Sequence, residues 1–422
     1  MHPNALLESA ADLLAQALRF EHPADAVAQR HYRSQRLGPR ERSALSDVLF
    51  AVLRYKRRLE HLARSGSGRR ERRLAILAWP DQAWLQRALS PEEQRWLTEC
   101  RAVPEHTLLA PQRHNLPDWL AQRLQDQVGS EFEALTQALL DTAPLDLRVN
   151  TFKAKRADVQ AQLAHDAIES VATRYSPWGL RVRGKPDLGR SPAFTQGDCE
   201  VQDEGSQLLA LLLDAHRGEM VADFCAGAGG KTLALGASMR NTGRLYAFDT
   251  SAHRLRALTP RLARSGLSNV TPVVLTHERD ERVKRLWGKL DRVLVDAPCS
   301  GLGTLRRNPD LKWRQSPEAV AQLAERQLAI LSAAALLLKP GGRLIYATCS
   351  LLREECEDVA AAFDTAHATG WTALPVAPLL QSLKVEDAAT LCSGGDDAQR
   401  YLRLWPQRHG TDGFFAAVWQ RQ

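Results

Sequence analysis

Residues 291–303 read DRVLVDAPCSGLG, and residues 341–350 read GGRLIYATCS. Val293, Leu294 and Val295 in the first stretch, and Leu344, Ile345 and Tyr346 in the second, are short apolar runs of the kind that form buried strands. Between them Val320, Leu323, Gln327, Ile330, Leu331, Ala334 and Leu338 keep a helical period, which predicts a helix over 317–339. Strand, helix, strand is a crossover unit, so the two strands run parallel and end on the same edge of the sheet. That edge is where open α/β sheets bind ligands. Cys299 and Cys349, fifty residues apart, are thereby expected to face one crevice, each at a strand end and each followed by Ser. The alternative is a pair of core cysteines, since a free thiol packs as a small hydrophobe.

The same alternation extends outward from this unit. A helix over 205–215, a strand over 220–224, a strand over 244–248 ending at Asp249 and a strand over 271–275 predict a doubly wound α/β domain from about residue 201 to 422. A turn at Gly413 and an edge strand over 414–419 close it. The loop Cys225-Ala226-Gly227-Ala228-Gly229-Gly230-Lys231-Thr232 lies between a strand and a helix. Its glycines let the backbone approach a ligand, and the helix start supplies free N–H groups. Asp249, twenty residues after Gly229, can accept two hydrogen bonds from a ribose diol. A phosphate-binding P-loop needs glycine six positions before Lys231, where Cys225 stands, so the loop fits a nucleoside cofactor better.

Upstream, residues 1–110 read as all-helical, with Leu45, Val48, Leu49, Val52 and Leu53 forming one apolar stripe. Nine basic residues lie between Arg54 and Arg73, a run able to meet RNA phosphates or simply to face solvent. Residues 111–200 change character. A short helix over 118–127 precedes alternating strand patterns from Leu145, and the whole reads as a small α+β domain. Tyr175, Trp178 and Phe194 interleave there with Arg174, Arg181, Arg183 and Lys185, a composition suited to base stacking or to an ordinary small core.

The totals set bounds. A chain of 422 residues suggests two or three domains. Net charge is +7 with a sequence pI of about 9.1, which suits a polyanionic partner. Seven cysteines without CxxC pairs argue against a disulfide framework and structural zinc, so no metal is expected. No apolar run is long enough to span a membrane, and the N-terminus reads as an amphipathic helix and not a signal peptide. A monomer in the reducing cytoplasm is the expectation.

At LRVNTFK, VQDEGSQ, DFCAGAGGKT, DAPCSGLG with RRNPDLKW, YATCS and DGFFAA, the chain resembles the RsmB/Sun (Fmu) family of bacterial ribosomal RNA cytosine-5 methyltransferases. DVLFAVLRYKRRL resembles the NusB-like RNA-binding domain of that family. The resemblance implies a Rossmann-like class I methyltransferase domain, S-adenosyl-L-methionine as methyl donor and RNA, most of all ribosomal RNA, as acceptor. It implies Cys349 as the nucleophile and Cys299 as the thiol that assists product release. Cofactor contacts fall to Cys225 through Lys231, Asp249 and Asp296. Three positions depart from the family pattern: Ala228 replaces a common proline, His277 stands where an acidic residue is usual, with Glu278 and Asp280 nearby, and Glu355-Cys356-Glu357 replaces Glu-Asn-Glu.

The implied chemistry accounts for the residue types. Carbon 5 of cytosine is a weak nucleophile until a thiolate adds to carbon 6, and a free thiol with a pKa of about 8.5 must first lose its proton. Asp296, beside the base, is the candidate to activate ring nitrogen 3, a role that needs a protonated carboxyl. Pro298 would turn backbone carbonyls toward the exocyclic amine, and the base must leave its stack. An amino-group methyltransferase, which needs no thiol, and a non-catalytic RNA-binding assembly factor are the alternatives.

Overall fold

The structure, a computed structural model, describes residues 2–393 and 399–422. The chain forms two compact units: Met1–Thr142 with Thr304–Pro317, and Ala143–Gly303 with Glu318–Gln422.

The first unit is all-helical among its described residues. Helix Pro39–Arg54 buries Leu45, Val48, Leu49, Val52 and Leu53, the whole predicted stripe. Fully burying each such side chain contributes about 1.5–3 kcal/mol. A helix ends with unsatisfied carbonyls, and here residues from the distant segment 304–317 take them. Trp313 Nε1 donates to the Leu53 carbonyl at 2.8 Å, and Lys312 Nζ donates to the Arg54 carbonyl at 2.9 Å. Asp310 accepts from the Ala24 N–H at 3.2 Å, where helix Ala24–Ser34 begins. The motif RRNPDLKW is therefore a capping segment of the helical unit. Helices Asp118–Val128 and Phe132–Leu140 also pack in this compact unit.

The basic run is largely committed within the unit. Arg57 pairs with Asp118, Arg58 with Glu105, Arg69 with Asp12, Arg70 with Glu60, and Arg72 with Glu8 and Glu93. Arg73 donates to the Ala63 and Gly66 carbonyls. A count of basic residues overstates the charge that remains free.

The second unit contains two sheets. In the smaller, β1 (Leu145–Val149), β2 (Ser170–Ala172), β3 (Gly179–Val182) and β4 (Cys199–Val201) form an antiparallel sheet of order β2-β3-β1-β4. Alternation places Leu147 and Val149 in its core, yet Asp146 and Arg148 are buried as well. Asp146 accepts two bonds from Arg181, at 2.8 and 3.0 Å, and Arg148 Nε donates to Gln202 Oε1 at 2.6 Å. The rings expected to stack on bases are occupied. Tyr175 is 3% exposed and joins the core with Trp178. Phe194 lies under the Arg264 guanidinium, 5.0 Å from the ring centroid. Tyr175, Trp178 and Phe194 are thus engaged in packing within the unit.

The larger sheet comprises β5 (Met220–Asp223), β6 (Arg244–Asp249), β7 (Val270–Val274), β8 (Leu290–Asp296), β9 (Leu338–Thr348), β10 (Trp371–Leu374), β11 (Cys392–Ser393), β12 (Tyr401–Leu404) and β13 (Phe414–Arg421). Its order is β11-β12-β13-β9-β8-β5-β6-β7, with β10 also on β13. Strands β5 to β9 are mutually parallel and β13 runs antiparallel to β9, the Rossmann-like arrangement the alternation implied. Two local expectations fail. The crossover helix stops at Ala335, and Leu338 opens β9, because Pro340-Gly341-Gly342 cannot continue a helix. Strand β13 is interior and not an edge. It pairs with β9 on one side and with β12 and β10 on the other, and Phe414–Trp419 is buried on both faces.

One backbone contact fixes the loop that leaves β8. Gly303 N donates to the Cys349 carbonyl at 2.8 Å, and Gly413 N donates to the Gly303 carbonyl at 2.8 Å. A Cβ on Gly303 would lie 2.1 Å from the Gly413 carbonyl oxygen. Gly303→Ala is therefore expected to lower stability by about 1–3 kcal/mol, read as a lower urea midpoint at unchanged slope.

Candidate active site

The carboxyl edge of the parallel strands encloses a cavity of about 790 Å³. One wall is the glycine loop. It turns through Gly229 at φ 83°, where a Cβ would meet Leu258 Cδ1 at 2.1 Å, and enters helix Gly230–Ser238. Asp249 ends β6 beneath the loop. Its Oδ2 accepts from the Gly227 N–H at 2.8 Å and its Oδ1 from the Ser251 N–H at 2.7 Å. A carboxylate accepts about four hydrogen bonds, so both oxygens keep capacity for a diol in a fixed orientation. Every site residue expected from the sequence lines the cavity except Gly229: Cys225, Ala226, Gly227, Ala228, Gly230, Lys231, Asp249, Asp296, Cys299 and Cys349. His277 and Glu278 line it too. Asp280 is not among the lining residues, and its carboxylate is spent on Thr276 and on Arg282.

The opposite wall carries the reactive groups. Cys299 follows β8, Cys349 follows β9, and their sulfurs lie 3.3 Å apart as free thiols. The bond to Cys349, followed by burial, pushes the Cys299 thiol well up. Lys231 Nζ donates to Asp296 Oδ2 at 2.5 Å. Burial alone would lower the Lys231 ammonium, but the Asp296 carboxylate outweighs it and raises it. Asp296, expected as a donor toward a ring nitrogen, accepts from Lys231 through its Oδ2. The Pro298 carbonyl, expected to meet an exocyclic amine, accepts from Gln327 Nε2 at 3.0 Å.

Several lining residues escaped the sequence reading: Gln202, Ser206, Arg254, Thr276 and Arg326. Gln202 and Ser206 lie in VQDEGSQ, whose motif character was the available signal. Arg326 lies one helical turn before the stripe residue Ile330 on the crossover helix, and both line the cavity, so the stripe there borders the site.

These features have counterparts in known proteins. The sequence matches the family described as 16S rRNA methyltransferase RsmB/F over residues 210–420. The chain belongs to this family. The ferredoxin-like domain of RsmF/B-like methyltransferases matches residues 116–188. Similar relatives include ribosomal RNA small subunit methyltransferase B of Sodalis glossinidius, 35% identical over 72% of this chain and 65% of that one. The Vibrio cholerae protein of the same name is 32% identical over 74% of this chain and 66% of its own. Across the first of these curated relatives the chain spans 64–67% of their length. A methyltransferase homolog protein from Pyrococcus horikoshii superposes with a TM-score of 0.64 at 27% identity, covering 76% of this chain and 100% of that one.

Behind the family's glycine loop, Asp223 is buried at the end of β5. Its Oδ2 accepts from Thr232 Oγ1 at 2.7 Å, while Oδ1 has no hydrogen-bond partner among the described residues. Burial, opposed by the Thr232 bond, raises its pKa from 3.8 to about 7. Between these values the folded chain holds a proton that the unfolded chain has lost. Stability therefore falls as pH rises across that window and levels off above it. The total effect is about 4 kcal/mol at most. Asp223→Asn should flatten this slope, seen as a smaller loss of urea stability than wild type between acidic and neutral pH.

Proposed function

We propose that this chain transfers a methyl group from S-adenosyl-L-methionine to carbon 5 of a cytosine in RNA, small-subunit ribosomal RNA being the acceptor its relatives' names point to. The observation that carries the reading is the thiol pair: two sulfurs 3.3 Å apart in a cavity whose other wall is a carboxylate-backed glycine loop. Amino-group transfer needs no thiol, and a non-catalytic factor needs neither wall.

The residues fit the cofactor. Asp249 suits a ribose diol, the glycine loop admits close backbone approach, and the cavity has the size of a small-molecule site. When bound, S-adenosylmethionine supplies the methyl group. The chain supplies the rest. Cys349, at the motif position of the family nucleophile, acts as nucleophile, with Cys299 beside it as the second thiol. The Cys349 sulfur adds to carbon 6, carbon 5 becomes nucleophilic and takes the methyl, then the carbon 5 proton leaves and the carbon–sulfur bond breaks. Cys299, in contact with the departing sulfur, assists this last stage. Asp296 and Lys231 present an acceptor and a donor beside the base, and Asp296 activates it in concert with Lys231.

The helical unit, NusB-like by its motif, and residues 143–201 hold the flanking RNA in this reading. The cations best placed for phosphate are Arg30, Arg33, Arg36 and Arg40, all exposed at the turn between helices Ala24–Ser34 and Pro39–Arg54. The nearest acid, Glu41, is spent on the Gly38 N–H at 2.7 Å.

Two outcomes are expected. Cys349→Ala should show neither turnover nor a covalent RNA adduct, whereas Cys299→Ala should stall with methylated RNA attached, a slow band on a denaturing gel carrying label from the donor. Full activity in both variants would replace this reading with amino-group transfer. Reversing Arg30, Arg33, Arg36 and Arg40 to Glu should weaken RNA binding and lower its log–log salt slope by about 3, with cofactor affinity unchanged. An unaltered slope would remove this turn from the RNA surface.

A further inference from the structure

The two thiols sit on separate loops, and a single buried carboxylate ties those loops together. Glu355 Oε1 accepts from the Ser300 N–H at 2.8 Å and from Gln327 Nε2 at 3.0 Å. Its Oε2 accepts from Ser300 Oγ and from Ser350 Oγ, each at 2.5 Å. Ser300 follows Cys299, and Ser350 follows Cys349. The two hydroxyls also lie 3.3 Å from each other. Gln327 extends the grip to the residue before Cys299 through the Pro298 carbonyl, and its Oε1 accepts from the Tyr346 hydroxyl at 2.9 Å. That hydroxyl is also 2.6 Å from the Glu355 carbonyl. Glu355 and Gln327 are completely buried, and Glu355 is not among the cavity-lining residues.

We propose that Glu355 is a positioning residue that sets the separation and orientation of the two thiols through Ser300 and Ser350. A carboxylate suits the task because one planar group receives three donors from the two loops and a fourth from the crossover helix, and bonds to an ionised acceptor are short and strong. Buried inside the fold, it exchanges none of them for water. The loops follow different strands, and besides the tether the backbone bonds Ala297 N to the Ala347 carbonyl and Gly303 N to the Cys349 carbonyl join them at either side of the sulfurs. The reading rests on the two-thiol chemistry proposed above, but the geometry it asserts is measurable without RNA.

The test uses the full chain and its Glu355→Gln and Ser350→Ala variants. Glutamine keeps the size of the side chain but replaces one acceptor oxygen with a donor. Ser350→Ala cuts one loop free and leaves the carboxylate in place, so it serves if the first variant folds poorly. The direct readout is the rate at which Cys299 and Cys349 couple when treated with diamide. The two thiols give up two electrons and two protons, the disulfide forms, and the azo reagent becomes the hydrazine. Mispositioning by about 1 Å costs reactions of this kind about 100-fold, so both variants should couple the thiols 10- to 100-fold more slowly. Melting temperature and S-adenosylmethionine affinity should stay near wild type, and methyl transfer to RNA should fall in kcat more than in KM. Coupling at the wild-type rate in both variants would overturn the proposal. Slow coupling in the variants, with a wild-type chain that methylates no cytosine, would keep Glu355 as the tether and discard the reaction assigned to the thiols.

Discussion

The parallel ladder between β8 and β9 is the constraint on which the site depends. Its register pairs Arg292 with Arg343 and Asp296 with Ala347, so both strands reach the same edge together. Cys299 and Cys349 follow within three residues of those last pairs. Their meeting at 3.3 Å is a consequence of that register, finished by two short loops. A parallel pair needs a crossover, and the crossover helix Pro317–Ala335 supplies Gln327, which closes the space behind the thiols. The glycine loop follows from the same sheet, because β5 pairs directly with β8 and ends beside it.

What could be read from the sequence was set by apolar pattern. The strand runs Val293–Val295 and Leu344–Tyr346 and the stripe Leu45–Leu53 each have one way to be buried, and the structure buries them so. Where pattern was ambiguous, the reading failed in a definite direction. Leu338 continued a helical period but stands next to Pro340 and two glycines, and chain stiffness decided the boundary. The run Phe414–Trp419 was apolar on both faces, which is the signature of an interior strand, yet its place at the chain's end suggested an edge.

Buried polar groups were the other blind spot. Asp146, Arg148, Lys312, Gln327 and Glu355 are all buried, and each is matched by a partner far along the chain. Propensity and periodicity describe a residue and its near neighbours, so they cannot supply those partners. The same limitation governs charge. Arg54–Arg73 is the densest basic run, but Glu60 within it and Glu8, Asp12, Glu93, Glu105 and Asp118 from elsewhere in the unit answer it. Arg30–Arg40 is sparser in sequence but contains no acid, and Glu41 just after it caps a helix.

These two observations bear on how the site divides its labour. A thiol nucleophile must lose a proton, whereas the groups that hold it must not compete for that proton or for the base. The structure separates the tasks by depth. Asp296 and Lys231 face the cavity as a pair, so the acceptor and donor offered to a base are already mutually oriented. Glu355 carries as much charge as Asp296 but lies behind the cysteine loops, with four donors satisfying it and no lining position. Two carboxylates thus take different places, one lining the cavity and one behind the loops that carry the sulfurs. Exchanging those places would leave the thiols loosely held beside an unanswered charge, the arrangement least able to bring two sulfurs to one carbon–carbon bond of a base.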